Sequence, residues 1–233
     1  MNLPEKPYNH TVEEVLNTLG VAPESGLSAD EAEKRRGECG KNRVGEAKTV
    51  SAWAILLNQF RSLIVLLLAV AGGVSLAFGD VPEFIAIIVV VIITAGIGFF
   101  TALRAARSME ALGKMELIET PVRRGGGTHV LPAEELVPGD ILILEAGDVV
   151  PADARLVKAS GVEADESSLT GESVPVHKNS EALTGEPVLA DRTNMLYMGT
   201  ALTRGSAEAA VTATGKETEL GRIGKLVEGA GHE

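Results

Sequence analysis

The sequence predicts a membrane-anchored α+β protein: a small N-terminal helical lobe, a two-helix transmembrane hairpin with a cytosolic stalk, and a compact β-rich domain ending in a linker helix. Three observations predict it. Two uncharged apolar blocks, Leu63–Phe78 and Phe84–Leu103, are separated by only five residues. Apolar residues recur at helical spacing before these blocks and at period two after them. Glycine-containing turns punctuate the period-two region. A length of 233 residues leaves room for one or two compact domains.

The lobe occupies residues 1–50. Thr11 followed three residues later by Glu14 forms a capping box, and Val12, Val15, Leu16 and Leu19 then share one helical face until Gly20 stops the helix. Ser28 with Glu31 repeats the capping signature and opens a second helix running to about Arg36. Two helices this short bury little by themselves, so the lobe is expected to dock on something else.

Residues 51–118 form the membrane region, with spans at about 63–79 and 84–103. The first block has 16 uncharged residues, near the lower limit for crossing a bilayer, and the second has 20, a full transmembrane length. Leu56, Leu57 and Phe60 extend the first block, and Arg61 is close enough to reach the headgroups. The connection Gly79-Asp-Val-Pro-Glu83 is too short for anything but an antiparallel hairpin. Arg61 precedes the hairpin, Arg104, Arg107 and Lys114 follow it, and the connection holds only acids, so both ends face the cytoplasm. Glu83 reads as an interfacial charge. Beyond Leu103 the helix continues as a stalk in which Glu110 and Lys114 form a favourable pair.

Residues 119–233 form the β-rich domain. Val122, Val130, Leu131, Ile141, Ile143, Val149, Ala154, Leu156 and Val157 fall in short runs between turns at Gly125–Gly127, Pro138–Asp140, Gly147-Asp148 and Gly161, as in a β-sandwich or barrel. Met195–Thr203 and Ala207–Thr214 supply further strands. From Glu217 to Glu228 the spacing is helical again, with Leu220, Ile223, Leu226 and Val227 apolar.

Charge excludes one class of function. Residues 1–50 are close to neutral, whereas Glu119 onward carries nineteen acids against ten bases, within a net charge of −11. Such a surface repels phosphate backbones, and 3% aromatic residues leave little for base stacking, so no nucleic-acid partner is expected. The single cysteine, Cys39, makes no intramolecular disulfide and reads as an incidental thiol. The opening residues lack a basic run followed by an apolar core, so no signal peptide is expected. Asp165, Glu166 and Glu172 lack a calcium-loop pattern, and His10, His129, His177 and His232 are scattered without ligand spacing, so no metal site is expected.

The segment that can carry chemistry is Asp165-Glu-Ser-Ser-Leu-Thr-Gly-Glu-Ser-Val-Pro-Val176. Its centre, Thr170-Gly171-Glu172-Ser173, reads as a tight turn between two strand-like runs. Gly171 permits a backbone conformation barred to other residues, and the hydroxyls can bond the loop's own backbone. Glu172 is thereby presented at an exposed tip, where a carboxylate can enter another domain's site as a general base.

This string resembles the actuator-domain signature of P-type cation-transporting ATPases. So do Val137-Pro-Gly-Asp-Ile141, Glu145-Ala-Gly-Asp-Val-Val-Pro-Ala-Asp153, Asn194-Met-Leu-Tyr-Met-Gly-Thr200 and Ala213-Thr-Gly-Lys-Glu-Thr-Glu-Leu-Gly-Arg-Ile223, which match in order and spacing. The lobe resembles the small cytosolic extension of the type II, calcium-pump-like branch, and the hairpin takes the place of that family's first two transmembrane helices.

The resemblance implies an N-terminal segment of an ATP-driven pump in a prokaryotic plasma membrane, multi-pass, with its N-terminus and actuator domain in the cytoplasm. In such a pump, ATP with Mg²⁺ phosphorylates an aspartate in a separate domain. The actuator loop then reaches the aspartyl phosphate, where Glu172 positions and deprotonates water, and Thr170, Gly171 and Ser173 shape the loop. The partners implied are the lipid bilayer and the phosphorylation and nucleotide-binding domains of the same or an intact pump. No Asp-Lys-Thr-Gly motif occurs, and Thr214-Gly-Lys-Glu is no substitute, so the chain alone is expected to bind no cofactor and hydrolyse no ATP. It ends near where the third transmembrane helix of the family begins, as a truncated product, a gene fragment or an excerpt would. The alternative reading is a non-catalytic truncated membrane module that binds or regulates an intact pump. The transported ion is not legible, because most of its ligands come from later helices.

Overall fold

The computed structural model describes residues 3–44, 53, 56, 57, 63–115 and 118–230, with 63, 105–115 and 227–230 described through their backbone alone. The expectations for Phe60, Arg61 and the Glu110–Lys114 pair lie outside the described residues and side chains. The chain divides into two compact units, Met1–Glu46 with Leu117–Glu233, and Ala47–Glu116.

In the first unit, α1 (Val12–Leu19) starts with the full capping box: Thr11 Oγ1 accepts from the Glu14 N–H at 3.3 Å, and Glu14 Oε2 accepts from the Thr11 N–H at 2.9 Å. Gly20, at φ 62°, closes it. At α2 (Ala29–Cys39) only half of the expected box forms. Ser28 Oγ accepts from the Glu31 N–H at 3.2 Å, but the Glu31 carboxylate turns along the helix to Arg35 Nε at 2.8 Å. A bond to the Arg35 guanidinium, with both partners charged, outcompetes one to the uncharged backbone N–H of the cap. α2 also runs one turn past the expected Arg36.

The lobe docks on the β-rich domain. Val15, Leu16, Leu19, Leu27 and Ala32 share one core with Val137, Ile141 and Ala210. Arg35, buried, fastens the two parts by donating to the Pro138 carbonyl at 2.9 Å and the Leu19 carbonyl at 2.8 Å.

The domain is one seven-stranded antiparallel sheet. Its strands are β1 (Glu119–Arg124), β2 (Gly127–Pro132), β3 (Ile141–Glu145), β4 (Asp153–Asp165), β5 (Val176–His177), β6 (Met195–Leu196) and β7 (Ala201–Ala213). The order is β2-β1-β3-β7-β4-β5, with β6 also paired to β4. Val122, Leu142, Leu144, Ala154, Leu156, Val162, Leu202 and Val211 form its main core. Val130, on the edge strand β2, is 61% exposed instead. A polar scaffold ties the strands: the Arg123 guanidinium grips Glu208 at 2.9 and 3.0 Å, and Arg124 grips Asp140 at 2.7 and 2.6 Å.

Two strands are longer than the sequence pattern predicts. Gly161 does not end β4, and the stretches expected as separate strands at 195–203 and 207–214 are largely merged in β7. The reason is a bulge. Between Ser160 and Glu163 the register against β7 shifts, with Gly161 at φ 59° and Gly205 opposite at φ 81°. A Cβ on Gly205 would lie 2.4 Å from the Ser160 carbonyl oxygen and 2.5 Å from that of Gly161. Gly205→Ala is therefore expected to cost about 2–3 kcal/mol, read as a lowered urea midpoint.

The C-terminal helix α6 (Glu219–Ala230), which follows α5 (Ser167–Thr170) in the chain, is capped by Thr218, whose Oγ1 accepts from the Gly221 N–H at 3.0 Å.

In the second unit, α3 (Leu63–Ala77) and α4 (Val81–Met115) pack side by side, burying Val65, Ser75 and Ala95. The turn is tighter than expected. Pro82 lies inside the first turn of α4, where its missing N–H has no helical partner to lose. Ser75 Oγ donates to the Asp80 carbonyl at 3.0 Å and closes the connection. Val81–Arg104 is long and apolar enough to cross a membrane by length and composition, whereas the apolar part of α3 is shorter. Leu67, Val70, Ile92, Ile97 and Phe100 are all at least 60% exposed, a surface suited to an apolar surround.

Candidate functional site

The segment Asp165–Val176 folds as an excursion between β4 and β5, which pair through Glu163–His177 and Ala164–Val176. In place of a simple tight turn, Ser167–Thr170 forms a single helical turn, α5. Its carbonyl acceptor is Glu166, which receives the N–H groups of Leu169 and Thr170 at 2.9 Å and the Thr170 hydroxyl at 3.1 Å. Gly171, at φ 77°, ends the turn in the left-handed conformation, which reverses the chain and brings the next residues outward. The Thr170 hydroxyl oxygen then accepts from the Glu172 N–H at 3.3 Å. Gly171, Glu172, Ser173 and Val174 are all exposed. The loop is thus built by its own backbone and Thr170, leaving Glu172 at its tip.

The near side of α5 is fastened. Leu169 packs on a cluster of Tyr8, Met195 and Tyr197, and Ser168 Oγ donates to the Gly199 carbonyl at 3.2 Å. The 194–200 motif is therefore the bed on which the loop rests. Asn194 holds that bed to the N-terminal segment, donating to the Tyr8 carbonyl at 2.8 Å and the Glu181 carbonyl at 2.7 Å. Arg192 stacks 4.3 Å above the Tyr8 ring.

The remaining motifs are structural. Asp140, fully buried, binds Arg124 and accepts from the Val137 N–H at 2.9 Å, which closes the Pro138-Gly139 turn. Gly215 donates its N–H to Asn42 Oδ1 at 2.7 Å, joining the 213–223 motif to the lobe's end. Asp153 accepts from the N–H groups of Met198 at 2.9 Å and Glu219 at 2.7 Å, so it secures both the loop's bed and the start of α6.

Burial pushes the Asp153 carboxyl up to about 6, against the opposing backbone hydrogen bonds. A folded value above the unfolded one means the folded state takes the proton first, so this group's contribution to stability falls as pH rises from about 4 to 6. Between pH 5 and 7 this amounts to about 1 kcal/mol. Urea titrations of wild type and Asp153→Asn at the two pH values should differ in pH dependence by that amount, with wild type losing more stability at pH 7.

Glu172, Thr170, Gly171 and Ser173 thus occur together on one exposed loop. Sequence reasoning missed the pair beneath it, Glu166 and Lys178, whose side chains are 1% and 0% exposed with Nζ 2.5 Å from Oε1. The available signal was two opposite charges flanking the loop. Among the described residues, cavities of about 260 and 500 Å³ leave out the loop itself, the larger being lined by Tyr8, Met195 and Tyr197 of its bed together with Asp153, Arg192 and Glu219. Among the described residues no three His, Cys, Asp or Glu side chains converge as metal ligands. The chemistry open to this site is that of a carboxylate delivered to a surface from outside.

Comparison with known proteins agrees with the geometry. Residues 114–228 match the family described as P-type ATPase actuator domain, and residues 7–75 match that described as cation transporter/ATPase, N-terminus. A probable cation-transporting ATPase F of Mycobacterium tuberculosis is 42% identical over 214 residues, 92% of this chain and 24% of the relative. A calcium-transporting ATPase of Bacillus subtilis is 38% identical over 94% of this chain and 25% of the relative, and calcium-transporting ATPase 1 of Lactococcus lactis is 37% identical over 97% and 26%. The chain spans about a quarter of the length of these curated relatives.

Proposed function

Given that the chain belongs to the P-type cation ATPases and carries their N-terminal and actuator domains, we propose that it serves an ATP-driven cation pump as the part that discharges the phosphorylated intermediate. Glu172 enters the site of an aspartyl phosphate borne on a domain beyond this chain, orients a water molecule and takes its proton as oxygen attacks phosphorus. Thr170, Gly171 and Ser173 set the shape of the loop that carries it. ATP and Mg²⁺ act in the complete pump, on its nucleotide-binding and phosphorylation domains. Calcium is the cargo suggested by relatives named calcium-transporting ATPases.

The carrying observation is the exposed Glu172 on a fastened loop: an acid held at a tip is available to a second domain, whereas one in a cleft serves its own. Both α3 and α4 cross the bilayer in this reading, as a hairpin of a multi-pass protein in a prokaryotic plasma membrane. The basic residues flanking the hairpin support an N-terminus and an actuator domain on the cytoplasmic side in this reading. The decisive experiment is the decay of labelled phosphoenzyme in a pump with Glu172→Gln.

A further inference from the structure

Glu166 and Lys178 stand at the two ends of the excursion that carries Glu172. Lys178 Nζ reaches Glu166 Oε1 at 2.5 Å and the Arg192 carbonyl at 3.3 Å, and lies 5.8 Å from the centre of the Tyr197 ring. Among the described residues no hydrogen bond reaches Glu166 Oε2. The backbone ladder above the pair is only two residue pairs long, Glu163–His177 and Ala164–Val176. A ladder that short gives little independent hold on a projecting loop.

Net stability does not account for the pair. Each buried ion loses several kcal/mol of hydration, and a well-packed apolar pair often does as well or better. Burial bears this out in both groups, holding the Glu166 carboxyl above its ordinary value and the Lys178 ammonium below its own, each opposed by the other's charge.

Its connections give another reason. Glu166 is the residue whose carbonyl receives Leu169, Thr170 and the Thr170 hydroxyl, and that hydroxyl in turn holds the Glu172 N–H. A continuous path therefore runs from Lys178 through Glu166 and Thr170 to the backbone of Glu172. Unlike apolar packing, which tolerates sliding, a buried ion pair disfavours any arrangement that parts its two charges.

From this path we infer that the Glu166–Lys178 pair is a positioning device for Glu172, locking the base of the loop so that the carboxylate is presented in one orientation. The inference rests on the function proposed above for Glu172. Neither residue of the pair touches the reacting atoms.

A single replacement leaves one buried charge alone and risks unfolding the domain, so the test uses Glu166→Leu with Lys178→Met, and the charge swap Glu166→Lys with Lys178→Glu. Hydrogen exchange is measured on the full chain in detergent. In the double apolar variant, the hydrogen-bonded amides of Leu169, Thr170, Gly171 and Glu172 should exchange about ten-fold faster or more, while those of β3 and β7 keep their protection. In a complete pump the same variant should form phosphoenzyme at the normal rate and break it down at least about ten-fold more slowly, because a displaced base loses its attack geometry. The swap should bring both readouts back toward wild type.

Unchanged loop exchange in the folded apolar variant overturns the inference. So does loss of protection spread over the whole sheet, the mark of a merely structural pair. The exchange arm involves no phosphate chemistry. Normal phosphoenzyme decay in Glu172→Gln, with faster loop exchange in the apolar pair, would therefore remove the catalytic reading and leave the anchor standing.

Discussion

Glu172→Gln, placed in a pump that contains this segment, is expected to form phosphoenzyme normally and to break it down about 10²–10⁴-fold more slowly, the range spanned by loss of a general base. Gln keeps the length and polarity of the side chain but cannot accept the proton that water releases. Formation is spared because phosphorylation of the aspartate takes place on another domain. The fold is spared too: Glu172 is exposed, and its only described hydrogen bond uses its backbone N–H, which the substitution retains. The thermal midpoint should therefore stay within about 1–2 °C of wild type. Chase of ³²P-labelled phosphoenzyme separates the two steps, and decay at the wild-type rate would remove Glu172 from the mechanism.

The largest loss of stability is expected from Arg155→Met. Arg155 is fully buried on β4, and its guanidinium donates to five carbonyls: Pro7 at 3.1 Å, Leu156 at 2.7 Å, Asn194 at 3.4 Å, His10 at 3.1 Å and Ser180 at 3.0 Å. Among the described residues no carboxylate pairs with this group, and burial pulls its pKa down to about 10, still protonated at neutral pH. The N-terminal segment is thus pinned across the sheet by one planar cation with donors in several directions. Met fills much of the space but leaves the carbonyls unpaired, at a cost of about 3–5 kcal/mol. Urea unfolding should show that loss, and limited proteolysis should cut near residues 3–10 before the rest of the domain opens. Arg155→Lys should recover only part of it, since an ammonium cannot span partners on four chain segments.

The covalent order of the elements was readable to a useful degree. Thr11 and Glu14 announced the first helix because capping is a local exchange of hydrogen bonds, complete within four residues. The apolar block of α4 was readable for the same reason, since length and hydropathy are properties of one segment. Local pattern and structure part where distant residues decide. Glu31 has the spacing of a cap partner but is captured by Arg35, itself held by the Pro138 and Leu19 carbonyls. Gly161 has the look of a turn, but its role depends on Gly205 across the ladder. In the linker helix, Ile223 and Leu226 are 41% and 74% exposed despite their apolar spacing. Arg155 alternates with Ala154 and Leu156 as a solvent-facing charge would, and it is buried because the N-terminal segment, Ser180 and Asn194 close over it.

The same division holds at the loop. Sequence by itself determined which residues form it, that Gly171 would turn it and that Glu172 would stand at its tip, because these follow from neighbours in the chain and from a family signature spread over several motifs. Only the tertiary structure decided what holds it. The short helix, its bed at 194–200, the Asp153 tie and the Glu166–Lys178 pair join residues far apart in the chain. Burial and hydrogen-bond partnership are properties of the folded chain, and no local pattern of residues carries them.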